Sequence, residues 1–145
     1  MGIDFGERRI GVAVTDEGNR IAQPLETLES GARATSPFQR LEEIIRDYQV
    51  DEIVLGLPLN MDGSAGAQAQ RTQSFGRELS KRFGVEVAYL DERWTTREAD
   101  RSVEAAGSSS RRQKRRREKL DAVAATLILS TYLERRKSGS SGEPA

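Results

Sequence analysis

The stretch MGIDFGERRIGVAVTDEGNRIAQPLETL, residues 1–28, decides the fold. Met1–Phe5 is a short apolar run, and Gly6–Arg9 turn it into RIGVAVTD, where Ile10, Val12 and Val14 alternate with smaller residues, as a strand with one well-packed face requires. A second turn at Glu17, Gly18 and Asn19 leads into a third run, Ile21–Leu28. Three strands with short links form an antiparallel meander, and its middle strand runs against the other two.

Downstream the period changes. Phe38, Leu41, Ile44 and Ile45 recur at helical spacing behind Pro37, a suitable first helical residue, and Ser36, its expected cap. The run DEIVLGL, residues 51–57, reads as a strand buried on both faces. A second amphipathic helix over residues 67–83 carries Phe75, Leu79 and Phe83 on one face and is stopped by Gly84, after which VEVAYL forms the last strand. A third helix is expected from a cap at Thr95 or Thr96, through Glu98 and Glu104, to Gly107. A basic loop follows. The final helix, from Glu118 to Arg136, has Leu120, Val123, Ala124, Leu127, Ile128 and Thr131 as its expected apolar stripe. The order βββαβαβαα predicts an α/β domain: a mixed five-stranded sheet with an antiparallel second strand, right-handed crossovers and helices on both faces. One domain is expected over residues 1–137, with a disordered Ser/Gly-rich tail at 138–145.

Composition removes several chemistries. The 145 residues contain no cysteine and no histidine. A disulfide scaffold, a thiolate zinc site, a cysteine nucleophile and a Ser-His-Asp triad are therefore excluded, and acid-base or metal chemistry must rest on carboxylates. No apolar run has the length of a membrane span and the N-terminus lacks a signal-peptide core, so the expected address is cytoplasmic, without a membrane partner.

Basic and acidic residues balance at 23 each. The balance hides an asymmetry, because RRQKRRREK, residues 111–119, holds seven basic residues and one acidic, a local charge of +6 set against −6 on the rest of the chain. A run of this kind serves equally as a solvated loop or as a contact for a polyanion. Its closely spaced cations repel one another, which favours the polyanion and makes Arg111, Arg112, Lys114, Arg115, Arg116 and Arg117 candidate nucleic-acid contacts.

Three separate acids have the right placement for a common site. Asp4 interrupts the first apolar strand, where an ionised carboxylate requires a cation, hydrogen bonds or a metal. Asp91 and Glu92 follow the last strand, at the sheet edge where functional groups of α/β proteins collect. Asp121 lies early in the final helix, next to small residues that permit close approach to the sheet. Each has a structural alternative: a turn cap for Asp4, an ion pair with Arg93 for Asp91 and Glu92, and a favourable dipole contact for Asp121. Together they form a hard oxygen environment suited to Mg²⁺ or Mn²⁺, and two such ions about 3.5–4 Å apart serve in-line phosphoryl displacement.

The segments GIDFGERRIGVAVTD, IAQPLETL, DEIVLGLPLNMDGSAG, DERWTTREA and DAVAATLIL, in this order across residues 2–134, resemble the YqgF/RuvX family. The resemblance implies an RNase H-like fold and a metal-dependent nuclease associated with 5′ maturation of precursor 16S ribosomal RNA, related in fold to Holliday-junction resolvases. Matched residue by residue, it makes Asp4, Glu92 and Asp121 the catalytic and metal-binding set, with Asp91 as a substitute for Glu92. Family members usually carry more residues ahead of GIDFG, so a short first strand is expected here. Asn60 and Ser64 in the loop after the fourth strand, and Arg93, Thr95 and Thr96 after the fifth, offer phosphate donors. The loop and cap geometry explains the same residues structurally.

The expected substrate is structured RNA, with precursor rRNA first. A resolvase of branched DNA, which requires a symmetric dimer, uses the same chemistry, so monomer and homodimer both stay open. Two further classes compete. GIDFGERRIGVAV also resembles the first phosphate loop of sugar-kinase and actin-like ATPases, whose paired domains exceed this length. A non-catalytic ribosome-assembly factor binding RNA through residues 111–119 is the other. Trp94 is open between core packing, which is favoured, and stacking on a base.

Overall fold

The computed structural model describes residues 1–30, 36–95 and 111–142. Five strands form one sheet: β1 (Gly2–Phe5), β2 (Arg9–Thr15), β3 (Ala22–Glu29), β4 (Glu52–Leu57) and β5 (Glu86–Asp91). Their spatial order is β3-β2-β1-β4-β5. β2 pairs antiparallel with both β1 and β3, while β1 with β4 and β4 with β5 are parallel. The expected mixed sheet, with strand two reversed, is the observed one. Pro24 is accommodated because β3 is an edge strand and its register against β2 shifts between Val12 and Ala13.

Three α-helices are present among the described residues: α1 (Pro37–Asp47), α2 (Ala67–Phe83) and α3 (Arg111–Gly142). Ser36 occupies the cap position of α1 without a side-chain cap bond, so Pro37, with its fixed φ, is the stronger start signal. Gly84 ends α2 in the left-handed conformation, φ 64°. The helix expected between Thr95 and Gly107 falls on residues 96–110, outside the described residues.

Strand alternation divides the core in two. Ile3, Ile10, Val12, Val14, Ile53 and Leu55 point to α1 and α2, where they pack with Leu41, Ile44, Phe75 and Leu79. The Phe5 and Phe75 rings stack there at 4.3 Å. The opposite face offers Ala13, Val54 and Leu90 to Ala125, Ile128 and Leu129 of α3. Helices therefore cover both faces.

The expected stripe of α3 is rotated. Of its members, Ala124 and Ile128 are buried as expected, but Val123 and Leu127 are partly exposed, and Ala122, Ala125 and Leu129 are buried in their stead. The reason is steric: this sheet face is lined by small residues, and alanines let the helix axis come close enough to fill it. The basic segment expected as a loop is helical from Arg111 onward. Arg, Lys, Gln and Glu are good helix formers, and no glycine or proline interrupts residues 111–137. Glu118 accepts a bond on its carbonyl from Thr27 Oγ1, and Lys114 pairs with Glu29 at 3.1 Å, fastening this part of α3 to β3. At its other end the helix continues to Gly142, into the segment expected as a tail. Ser138 donates to the carbonyl of Glu134 within that extension.

Candidate nuclease site

β1 faces α3 through Gly2 and Asp4, the residues that alternate with the buried Ile3. Asp4 pairs in register with Gly11 of β2. Along β1 and β4 the parallel register Gly2↔Val54 and Ile3↔Leu55 brings Asp4 next to Gly56. A half-buried carboxylate thus stands between two glycines in one row across the sheet.

Those glycines are cleared space. A methyl group on Gly11 would run into the backbone carbonyl of Asp121, and one on Gly56 would lie 2.5 Å from Glu92 Oε1 and 2.5 Å from Ile128 Cδ1. The backbone of Asp121 therefore rests over one neighbour of Asp4, and the Glu92 carboxylate over the other. Strand β1, the short 3₁₀ turn Glu92–Trp94 after β5, and helix α3 deliver the three acids to the same end of the sheet. This is the carboxyl end of the parallel strands, where open α/β sheets place ligands.

Asp121 is engaged by Arg9, whose Nε donates to Oδ2 at 2.5 Å. The side chains are only 25% and 18% exposed, so the pair is substantially screened from water. Sequence reasoning does not single out Arg9; the available signal is alternation, which sets Arg9, Gly11 and Ala13 on the face opposite Ile10 and Val12. Among the described residues no three acidic side chains form a ready metal cage. The donor chemistry nonetheless fits a hard divalent ion, because Asp4, Glu92 and Asp121 are all oxygen donors, and the space beside Asp4 is one that any Cβ at positions 11 or 56 would fill.

Asp91 has a different engagement. It caps the 3₁₀ turn by accepting from the Arg93 backbone N–H, and its two oxygens hold the Arg93 guanidinium through bonds of 2.6–3.0 Å. These bonds hold the Asp91 carboxyl below the usual carboxylate range. Arg93 also donates to the Met61 carbonyl at 3.0 Å, tying the loop after β4 to the end of β5. A lowered folded-state pKa contributes stability that is present above the unfolded value and lost as pH falls through the folded one. In Arg93→Gln the Asp91 carboxyl should therefore titrate higher by NMR, and the stability difference from wild type, clear at neutral pH, should vanish in acid. A difference constant with pH would show that the pair is not its source.

Asn60 and Ser64 lie exposed in that loop, bonded to each other, and Ser64 donates to Asp62 through both its N–H and its hydroxyl. These bonds hold the Asp62 carboxyl below its ordinary range. Thr95 closes the 3₁₀ turn with a hydroxyl bond to the Glu92 carbonyl. Thr96 lies outside the described residues. On α3, Arg111, Arg112, Arg115, Arg116 and Lys119 share one exposed face, spaced by one and four residues. Lys114 and Arg117 flank it, and Arg116 sits ~7.5 Å along the axis from Asp121. The basic face and one acid of the site thus belong to one rigid element.

Comparison with known proteins decides the affiliation: the sequence profile described as "RuvX: Holliday junction resolvase" matches residues 1–135. The chain belongs to the RuvX family. A relative from Desulforudis audaxviator is 46% identical over 142 residues, covering 96% of both chains, and one from Lactobacillus helveticus is 43% identical over 136 residues, covering 92% of this chain and 94% of its own. Both carry the name "Putative pre-16S rRNA nuclease". Among solved structures, Thermus thermophilus RuvC in complex with Holliday junction substrate matches with a TM-score of 0.54 at 14% identity, covering 94% of each chain. At that identity the likeness concerns the fold, which is RNase H-like. No helix among the described residues of this RuvX-family chain is long and apolar enough to cross a membrane.

Proposed function

We propose that the protein is a divalent-metal-dependent nuclease that hydrolyses phosphodiester bonds of structured RNA, in the 5′ processing of precursor 16S rRNA in the cytoplasm. The observation that carries the proposal is the row Gly11–Asp4–Gly56, over which Asp121 and Glu92 lie. The names of the relatives support the substrate.

In this reading Asp4, Glu92 and Asp121 hold Mg²⁺ or Mn²⁺. A bound ion of this kind supplies charge neutralisation at the phosphate and lowers the pKa of the attacking water. Asp4 is oriented by its strand, and Arg9 balances the charge of Asp121 and fixes its direction. Asn60, Ser64, Arg93 and Thr95 offer phosphate donors around the opening. The cationic face of α3 follows the nucleic-acid backbone toward Asp121.

That last role has a thermodynamic signature. Neutralising Arg115, Arg116 and Arg117 to Gln should flatten the dependence of log affinity on log salt by about 0.9 for each duplex phosphate that the protein no longer neutralises, measured by anisotropy of a labelled RNA. An unchanged slope would remove this face from the interface.

The family description favours a second reading, cleavage of branched DNA, with the same acids. Presenting a precursor rRNA fragment and a four-way DNA junction in competition to one preparation separates the two. Preferential cleavage of the RNA supports the first, and preferential cleavage of the junction replaces it.

A further inference from the structure

Trp94 is the only tryptophan in the chain, and it does not pack in the core: 55% of the residue is exposed. Its position is nevertheless closely defined. It ends the 3₁₀ turn that Asp91 caps at the start, and the Thr95 N–H and hydroxyl both bond to the Glu92 carbonyl across that turn. From the other side, the Arg135 guanidinium of α3 lies over the indole, 3.1 Å from the ring centroid. An exposed aromatic ring is thus held from two elements, two residues beyond Glu92, whose carboxylate faces Gly56.

We infer that Trp94, backed by Arg135, is a stacking platform for an unpaired nucleobase next to the phosphate handled at the acidic row. A π-face accepts any base, so the platform reads strand state and not sequence. An immobilised ring loses little further freedom when a base lands on it. Arg135 adds a positive charge beside the ring, within reach of the phosphate attached to that base. The consequence is a preference for substrate whose strand is unpaired beside the scissile bond. The inference rests on the nuclease reading above, but its test can fail separately.

The single tryptophan is its own reporter. In an Asp4→Asn background, which prevents turnover, a short fluorescently labelled single-stranded oligoribonucleotide and a blunt duplex of the same sequence are titrated in parallel. Anisotropy reports binding, and indole emission reports stacking. The expected result is emission quenching that saturates together with anisotropy for the single strand and is absent for the duplex. Adding Trp94→Ala should weaken single-strand binding by about tenfold and leave duplex binding unchanged, while Trp94→Phe should restore most of the loss. Saturating anisotropy with unchanged indole emission, or equal single-strand affinities with and without the ring, would overturn the platform and leave the nuclease reading standing. Absence of binding to either form would overturn both.

Discussion

Replacing Asp4 or Asp121 by Asn should reduce strand cleavage by on the order of 10³-fold and leave RNA affinity within about twofold. The size follows from the proposed metal-holding role, whose loss would remove roughly 4 kcal/mol of transition-state charge stabilisation, at a factor of ten for each 1.36 kcal/mol. Asn keeps the shape of Asp but cannot balance a divalent ion. Binding persists because the cations of α3 lie elsewhere on the helix. Stability separates the effect from misfolding: the melting temperatures of both variants, read by calorimetry beside their cleavage rates, identify any loss of activity that comes from unfolding. Full activity in both variants would remove the metal-site proposal.

Gly11→Ala is the second large effect, and it acts on stability. Its added Cβ meets the backbone of Asp121, which cannot rotate away as a side-chain tip can. Either β2 or α3 must move, and overpacking of this kind costs about 3 kcal/mol. For a domain of this size that lowers the melting temperature by roughly 10 °C. Gly18→Ala is the internal control, because its nearest neighbour is the flexible Arg20 side chain at 3.7 Å. Calorimetry on the two variants checks the contrast. Equal melting temperatures would mean that α3 does not approach the sheet at Gly11 as closely as described.

Much of this architecture is legible in the sequence because burial imposes a period. Ile10, Val12 and Val14 alternate because one face of β2 is packed, and Leu41 and Ile44 recur because α1 lies on that same face. The other face is harder to read. Its row of Gly2, Gly11, Ala13 and Gly56 looks from sequence like weak strand residues, yet their smallness draws Ala122 and Ala125 inward and turns Val123 and Leu127 outward. Hydrophobicity ranks valine and leucine above alanine, and so it places Val123 and Leu127 in the stripe beside the correctly expected Ala124 and Ile128.

The site shows the same division. Asp4, Glu92 and Asp121 can be nominated from strand ends and a helix start, since charge in an apolar setting is conspicuous. The steric reason that the Asp121 backbone and the Glu92 carboxylate lie over the neighbours of Asp4, a glycine on either side, depends on register and cannot be read locally. Arg9 escapes notice for that reason too: its partner is 112 positions away in the chain. The basic run reads as a loop because like charges repel along a helix, but each such pair costs only a few tenths of a kcal/mol. Helix-forming residues and the fastening to β3 outweigh that cost.

The most direct measurement is anomalous diffraction from a crystal soaked in Mn²⁺. A manganese peak bonded to the Asp4 carboxylate and sharing ligands from Glu92 and Asp121 is the predicted result. Manganese bound only at other carboxylates, or none at this end of the sheet at saturating concentration, would contradict the account.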